Sequence, residues 1–188
     1  MRCPDLRSFL FGAFTLVVVI AAVIGCIVAT GAYDVAADAP QSATVADFIT
    51  TVRERSIDVR ASAVEVLPLN RPEMITDGAS DYDEMCTGCH LAPGMEENEM
   101  RPGLDPKPPL LADGALGDPK EQFWIIKHGI RMTAMPAWGK THSDEEIWNI
   151  VAFLQRLPGR SPQTYHALVA KGGDHHHHEM GEGNHMKM

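Results

Sequence analysis

The sequence predicts an all-α protein, one apolar helix followed by a small helical domain, on three observations. Apolar residues recur at three- and four-residue spacing in several segments, and no segment shows the strict alternation of a half-buried strand. Prolines and N-cap residues stand where those segments begin, and glycines where they stop. An uncharged run from Phe9 to Thr30 precedes them all.

That run is long enough to cross the ~30 Å hydrocarbon core of a bilayer as a helix, so residues 1–32 are expected to form an N-terminal membrane anchor. Arg2 and Arg7 precede it and the next basic residue is Arg53, a bias that keeps the amino terminus in the cytoplasm and sends the rest of the chain outside. A cleaved signal peptide is the competing reading, although the run exceeds the usual ~7–15 apolar residues of one. Val23-Ile24-Gly25-Cys26 also has the look of a lipobox, which would make Cys26 a lipidated terminus, yet Ile27, Val28 and Ala29 continue the apolar run.

Residues 33–70 read as a connector with one amphipathic helix. Val45, Phe48, Ile49 and Val52 share a face, with Asp47, Arg53, Glu54 and Arg55 available for the other. The face either packs on the domain or lies on a membrane surface. Val64, Val66, Leu67 and Leu69 then run past Pro68 to Pro72 as an extended strap. The domain proper, residues 71–170, opens at Pro72 with a helix to about Met85 that carries Gly78 and Tyr82. Asp118-Pro119-Lys120-Glu121 supplies an N-cap, an N1 proline and an N3 carboxylate for a helix with Phe123, Trp124 and Ile126, stopping at Gly129. Ser143 and Glu146 have capping-box spacing and open a helix bearing Ile147, Ile150, Val151 and Leu154, which ends by Pro158-Gly159. Ser161-Pro162 starts a last short helix through Leu168, with Gly172 and Gly173 ending order, so residues 171–188 read as a disordered tail.

Composition narrows the function. The formal charge is −9 and the basic residues do not cluster, which argues against a nucleic-acid partner. An acidic surface suits encounter with a basic redox protein, or plain solubility. Aromatic residues make up 6% of the chain, little for a domain core, so another large apolar group is needed to fill it.

Cys86-Thr87-Gly88-Cys89-His90 is the most specific run in the chain. C-x-x-C-H is the spacing of covalent haem attachment: one helical turn brings two thiols to two porphyrin vinyl groups, and the next residue offers an imidazole to the iron. A thioredoxin-like pair would want a βαβ setting, which is absent. A zinc site would want a second ligand pair, and the other cysteines, Cys3 and Cys26, lie in or before the apolar run. His90 is therefore the expected fifth ligand. In the loop Ile130–Gly139, Met135 is the preferred sixth ligand, since Pro136 stiffens the chain beside it while Met132 lies nearer the preceding helix. His128 and His142 are lesser candidates, read as exposed helix-end residues.

With these residues in place, Pro72 to about Ala170 resembles a class I mono-haem cytochrome c domain, and the whole layout is similar to small membrane-anchored bacterial cytochromes. The resemblance implies a class I cytochrome c fold around one covalent haem, preceded by a single transmembrane helix. It implies that Gly78 and Tyr82 meet Ile150 and Phe153, that Cys86, Cys89 and His90 hold haem c, that Met135 is the axial methionine, and that the carbonyl of Pro109 accepts the imidazole N–H of His90. Pro106-Lys107-Pro108-Pro109 stands where the commoner pattern has Gly-Pro.

These features imply an electron carrier on the periplasmic side of the inner membrane. Its partners would be redox proteins or a membrane oxidoreductase complex, with no small-molecule substrate and no catalytic residue. A haem peroxidase or sensor is the alternative, with Arg131 and His128 as its only distal groups. A third reading is copper or other metal handling by the tail, where His175, His176, His177, His178, Met180, His185, Met186 and Met188 concentrate imidazoles and thioethers.

Overall fold

The structure, a computed structural model, describes residues 5–115 and 117–182, with side chains through residue 172. It is all-helical, and no strand occurs among the described residues. The chain divides into two compact units, Met1–Pro40 and Gln41–Met188.

The first unit is helix α1, Leu6–Thr30, exposed along its whole length. At ~1.5 Å per residue its 25 residues exceed the hydrocarbon thickness of a bilayer. Its two threonines are satisfied within the helix, as a lipid setting favours: the hydroxyls of Thr15 and Thr30 donate to the carbonyls of Phe11 and Cys26 at 2.9 and 2.7 Å. Gly31, at φ 64°, ends the helix by donating its amide to Ile27.

In the second unit four helices contribute to the core. Helix α3, Pro72–Met85, starts on its N1 proline and buries Met74, Gly78, Ala79 and Tyr82 along one stripe. Helix α6, Asp144–Leu154, starts on a complete capping box between Ser143 and Glu146, and is buried from Ile150 through Leu154. The two cross at Gly78, where a Cβ would stand 1.9 Å from the carbonyl oxygen of Asn149. No side chain fits there, so the backbones touch. One turn on, the rings of Tyr82 and Phe153 lie 5.4 Å apart, with Tyr165 against both.

Helix α7, Pro162–Glu182, is longer than the sequence predicts. It runs through Gly172 rather than ending at Leu168, because Gly172 is buried against α3, where a Cβ would meet the carbonyl of Thr76 at 2.1 Å. The glycine that reads locally as a helix end serves a close crossing instead. The backbone of His175–His178 continues this helix, where the sequence suggested a disordered tail.

Helix α5, Pro119–His128, is capped by the Asp118 carboxylate on the Lys120 amide and stacks Phe123 on Trp148 of α6 at 4.3 Å. Helix α2, Ala43–Ala61, packs beside it and belongs to the second unit rather than to a separate connector. It does so through Ile57 and Ala61, with Val45, Phe48, Ile49 and Val52 turned outward. Of the two uses the sequence left open for that face, packing on the domain is not the one seen. In the strap that follows, Val64 and Leu69 pack on the core while Val66 and Leu67 remain exposed.

Candidate functional site

Cys86 ends α3 and starts a single turn, α4, Thr87–His90. Its carbonyl accepts from the amides of Cys89 and His90 at 3.1 and 2.8 Å, so the two cysteines are held one turn apart. Both thiols are free. A helix end leaves carbonyls without partners, and here side chains from elsewhere take them. Asn98 Nδ2 donates to Gly88 at 2.7 Å, an Arg101 guanidinium N–H donates to Cys89, and the Tyr82 hydroxyl donates to Leu91 at 2.7 Å.

Leu91 needs that grip. At φ 59° and ψ 171° it sits in a region essentially reserved for glycine, a conformation costing on the order of 1–3 kcal/mol that persists only where its surroundings enforce it. The Tyr82 phenol is fully buried, and burial pushes its pKa above the usual range, which keeps it a donor. Arg101 is the one charged side chain among the buried described residues. Its Nε also donates to Glu97 at 3.3 Å, and Lys107 reaches the same carboxylate at 2.6 Å. The hydrogen bond from Lys107, then that from Arg101, holds the exposed Glu97 carboxyl below its ordinary value.

His90 Nδ1 lies 2.9 Å from the carbonyl oxygen of Pro109. A carbonyl can only accept, so Nδ1 carries the proton and Nε2 keeps its lone pair. Burial, the largest effect, lowers the His90 pKa; the Pro109 bond opposes this and Arg101 adds to it. A neutral imidazole with a free Nε2 has the form of an iron ligand. The Cys86 thiol is pushed up to about 12, first by burial and then by the charges of Asp81 and Cys89. A dithiol redox centre needs the opposite, a stabilised thiolate, so the site does not suit that chemistry.

The loop after α5 turns on Gly129, at φ 66° and ψ −175°, where a Cβ would stand 2.7 Å from the carbonyl carbon of Pro136 and 2.8 Å from Met135 O. The Ile130 amide donates to Met135 O at 3.2 Å, and the Met135 amide donates to Thr133 Oγ1 at 3.1 Å. Thr133 Oγ1 in turn donates to Ile130 O at 2.8 Å. Met135 is thereby directed onto the core and joins the apolar cluster that Cys86, Ala92, Leu111 and Trp138 also flank. Met132, at φ 60°, is 89% exposed. His128 is exposed, as is Arg131, whereas His142 is half-buried and bonded to Thr141.

Of the sequence-predicted residues, then, Cys86 and Met135 flank one cluster, and His90 meets Pro109. The side chains of His175, His176, His177, His178 and Met180 lie outside the described residues, as do His185, Met186 and Met188 altogether. Among the described residues no group of His, Cys, Asp and Glu side chains is placed to hold a metal ion. Sequence reasoning missed Asn98, Arg101 and the part played by the Tyr82 hydroxyl. Glu96–Arg101 reads as an ordinary solvated charge run, and only the four-residue spacing of Glu97 and Arg101 hints at a pair.

The donor set fits haem: two unpaired thiols one turn apart, an imidazole with a fixed tautomer, and a thioether pinned in a loop over the same apolar cluster. An all-helical domain built around that set is a c-type cytochrome domain, a class that holds haem c covalently and transfers electrons through it. The comparison with protein families agrees: residues 73–154 match the family described as cytochrome c oxidase, cbb3-type, subunit III. No curated protein and no solved structure matches the chain. The apolar α1 ahead of the domain fits a membrane anchor.

Proposed function

We propose that the protein is a membrane-anchored, periplasm-facing mono-haem electron carrier with His90 and Met135 as axial ligands and Cys86 and Cys89 as the thioether-forming residues. It serves a respiratory chain as a carrier or as a subunit of a membrane oxidoreductase complex, and it is not itself an enzyme. The observation that carries the reading is the bond from His90 Nδ1 to Pro109, which leaves the lone pair of the other ring nitrogen available to iron. The inward position of Met135 against the exposed Met132 supports the assignment of the sixth ligand. Arg2 and Arg7 ahead of the apolar helix support the orientation. The match to an oxidase subunit family supports a place beside a membrane oxidoreductase.

When bound, haem supplies an iron that changes by one electron between ferric and ferrous. The chain's work is to keep the surroundings the same in both states. His90 is held neutral and oriented by Pro109, the turn carrying it is fixed at three carbonyls, and Met135 would supply the thioether that shuts water out of the site. No general base is needed.

Redox titration and carbon monoxide binding of Met135→Ala in the full chain test the reading. The midpoint potential should fall by on the order of 0.1 V, within the ~0.8 V over which axial ligands move haem potentials, and the reduced protein should bind carbon monoxide rapidly where the parent resists it. An unchanged potential and spectrum would move the ligand to Met132 or a histidine, and rapid carbon monoxide binding by the parent would favour a sensor or peroxidase.

A further inference from the structure

We infer that α2 lies on the bilayer surface, with Val45, Phe48, Ile49, Val52 and Val59 seated at the level of the lipid headgroups. The inference rests on α1 spanning the membrane, as in the proposed function, and its occupant is an anionic phospholipid surface.

Helix α2 sorts its residues onto three faces. Ile57 and Ala61, with half-buried Ala46, Thr50 and Arg53, form the row that packs on the domain. Asp47, Glu54 and Asp58 form a second, acidic row. The third row is apolar and bare, with Phe48 68% exposed, Val52 and Val59 both 52%, Ile49 45% and Val45 39%. A contiguous apolar stripe left in water on an otherwise well-packed unit marks a surface that meets something else.

Charge and chain length identify what. Arg55, seven residues after Phe48, borders one edge of the stripe, and Arg53 and Arg60, four and eleven after Ile49, border the other. The acidic row is kept to the far side, where Arg53 and Arg55 reach round to Glu54 and Asp58. Apolar residues flanked by basic ones are the pattern of helices that lie in the interface of an anionic membrane, and Arg60, bonded to Ser56 rather than to a carboxylate, keeps its charge for that surface. The chain as a whole carries a net charge of −9, whereas on α2 Arg53, Arg55 and Arg60 balance Asp47, Glu54 and Asp58, so the helix is not set against an anionic surface by its net charge. Thr30 ends α1 and Ala43 begins α2, and the residues between can reach at most ~40 Å even when fully extended. The stripe is therefore held at high effective concentration beside the bilayer, where modest affinity suffices. Because α2 also packs on α5, lying flat would fix the angle at which the domain presents the Met135 loop.

The test uses the full, haem-loaded chain in vesicles of phosphatidylcholine with phosphatidylglycerol. A polarity-sensitive fluorophore is attached to a single cysteine in place of Phe48, Val52, Asp47 or Glu54, with Cys3→Ser and Cys26→Ser removing the other reactive thiols. Probes at 48 and 52 should be quenched by doxyl groups carried on the lipids and shielded from iodide, and probes at 47 and 54 should behave the opposite way. Omitting phosphatidylglycerol should reduce the doxyl quenching at 48 and 52 by about twofold. Iodide quenching at 48 equal to that at 47 would overturn the inference, as would shielding from both quenchers, which means that another protein or a second copy covers the stripe. Alkaline carbonate extraction of the same vesicles separates the two readings: retained protein with an iodide-accessible stripe overturns this inference alone, whereas released protein removes the anchor and the inference together.

Discussion

Behind His90, side chains nine to twelve residues from their partners grip the turn: Tyr82 holds Leu91, Asn98 holds Gly88 and Arg101 holds Cys89. Around Met135 the loop is held by its own neighbours, through the Ile130 amide, the Thr133 hydroxyl and the freedom of Gly129. The difference teaches that the two walls of the site should fail separately. The His90 wall is tied to the core of α3 through Tyr82 and should unfold with it, while the Met135 wall, held by bonds within its own loop, should open on its own. In the proposed carrier this separates permanent attachment at Cys86 and Cys89 from a sixth ligand placed by short-range geometry.

Gly129→Ala should break the comparison open most widely. The new Cβ meets backbone within 2.8 Å and the φ of 66° disfavours any side chain, so a loss of about 2–4 kcal/mol is expected in denaturant titration. The Met135 wall should give way, so the reduced variant should bind carbon monoxide while its haem remains attached. Detachment, or stability equal to the parent's, would show the two walls to be one unit or the crossing to be slack.

Tyr82→Phe should have a smaller effect and on the other wall. It leaves the Leu91 carbonyl buried without its partner, at a cost of roughly 1–3 kcal/mol, read as a lower midpoint of thermal unfolding. The ring still packs on Phe153 and Tyr165, so carbon monoxide should still be excluded by the Met135 side. Rapid binding in this variant would mean that strain at Leu91 is transmitted across the site.

Much of this was legible in the sequence because the signals are local. The N1 prolines at 72 and 119, the capping box at Ser143 and Glu146 and the C-x-x-C-H spacing each depend on a few neighbouring residues, and the observed helices follow them. What failed depended on tertiary approach. Gly172 looks like a helix end, yet it is where α7 crosses Thr76. For the apolar stripe on α2 the periodicity left core packing and a membrane surface equally open, and only the fold shows that Ile57 and Ala61, off that stripe, are the buried residues. Arg101 lies in a segment without periodicity, and its buried guanidinium meets the Cys89 carbonyl, which no helix continues to satisfy, and the Glu97 carboxylate.

The most direct measurement of the central claim is the mass of the acid-denatured full chain. Thioethers at Cys86 and Cys89 require the polypeptide plus one haem, with the pigment staying on the protein in acidified acetone. A bare polypeptide mass, with colour released into the solvent, would contradict the account.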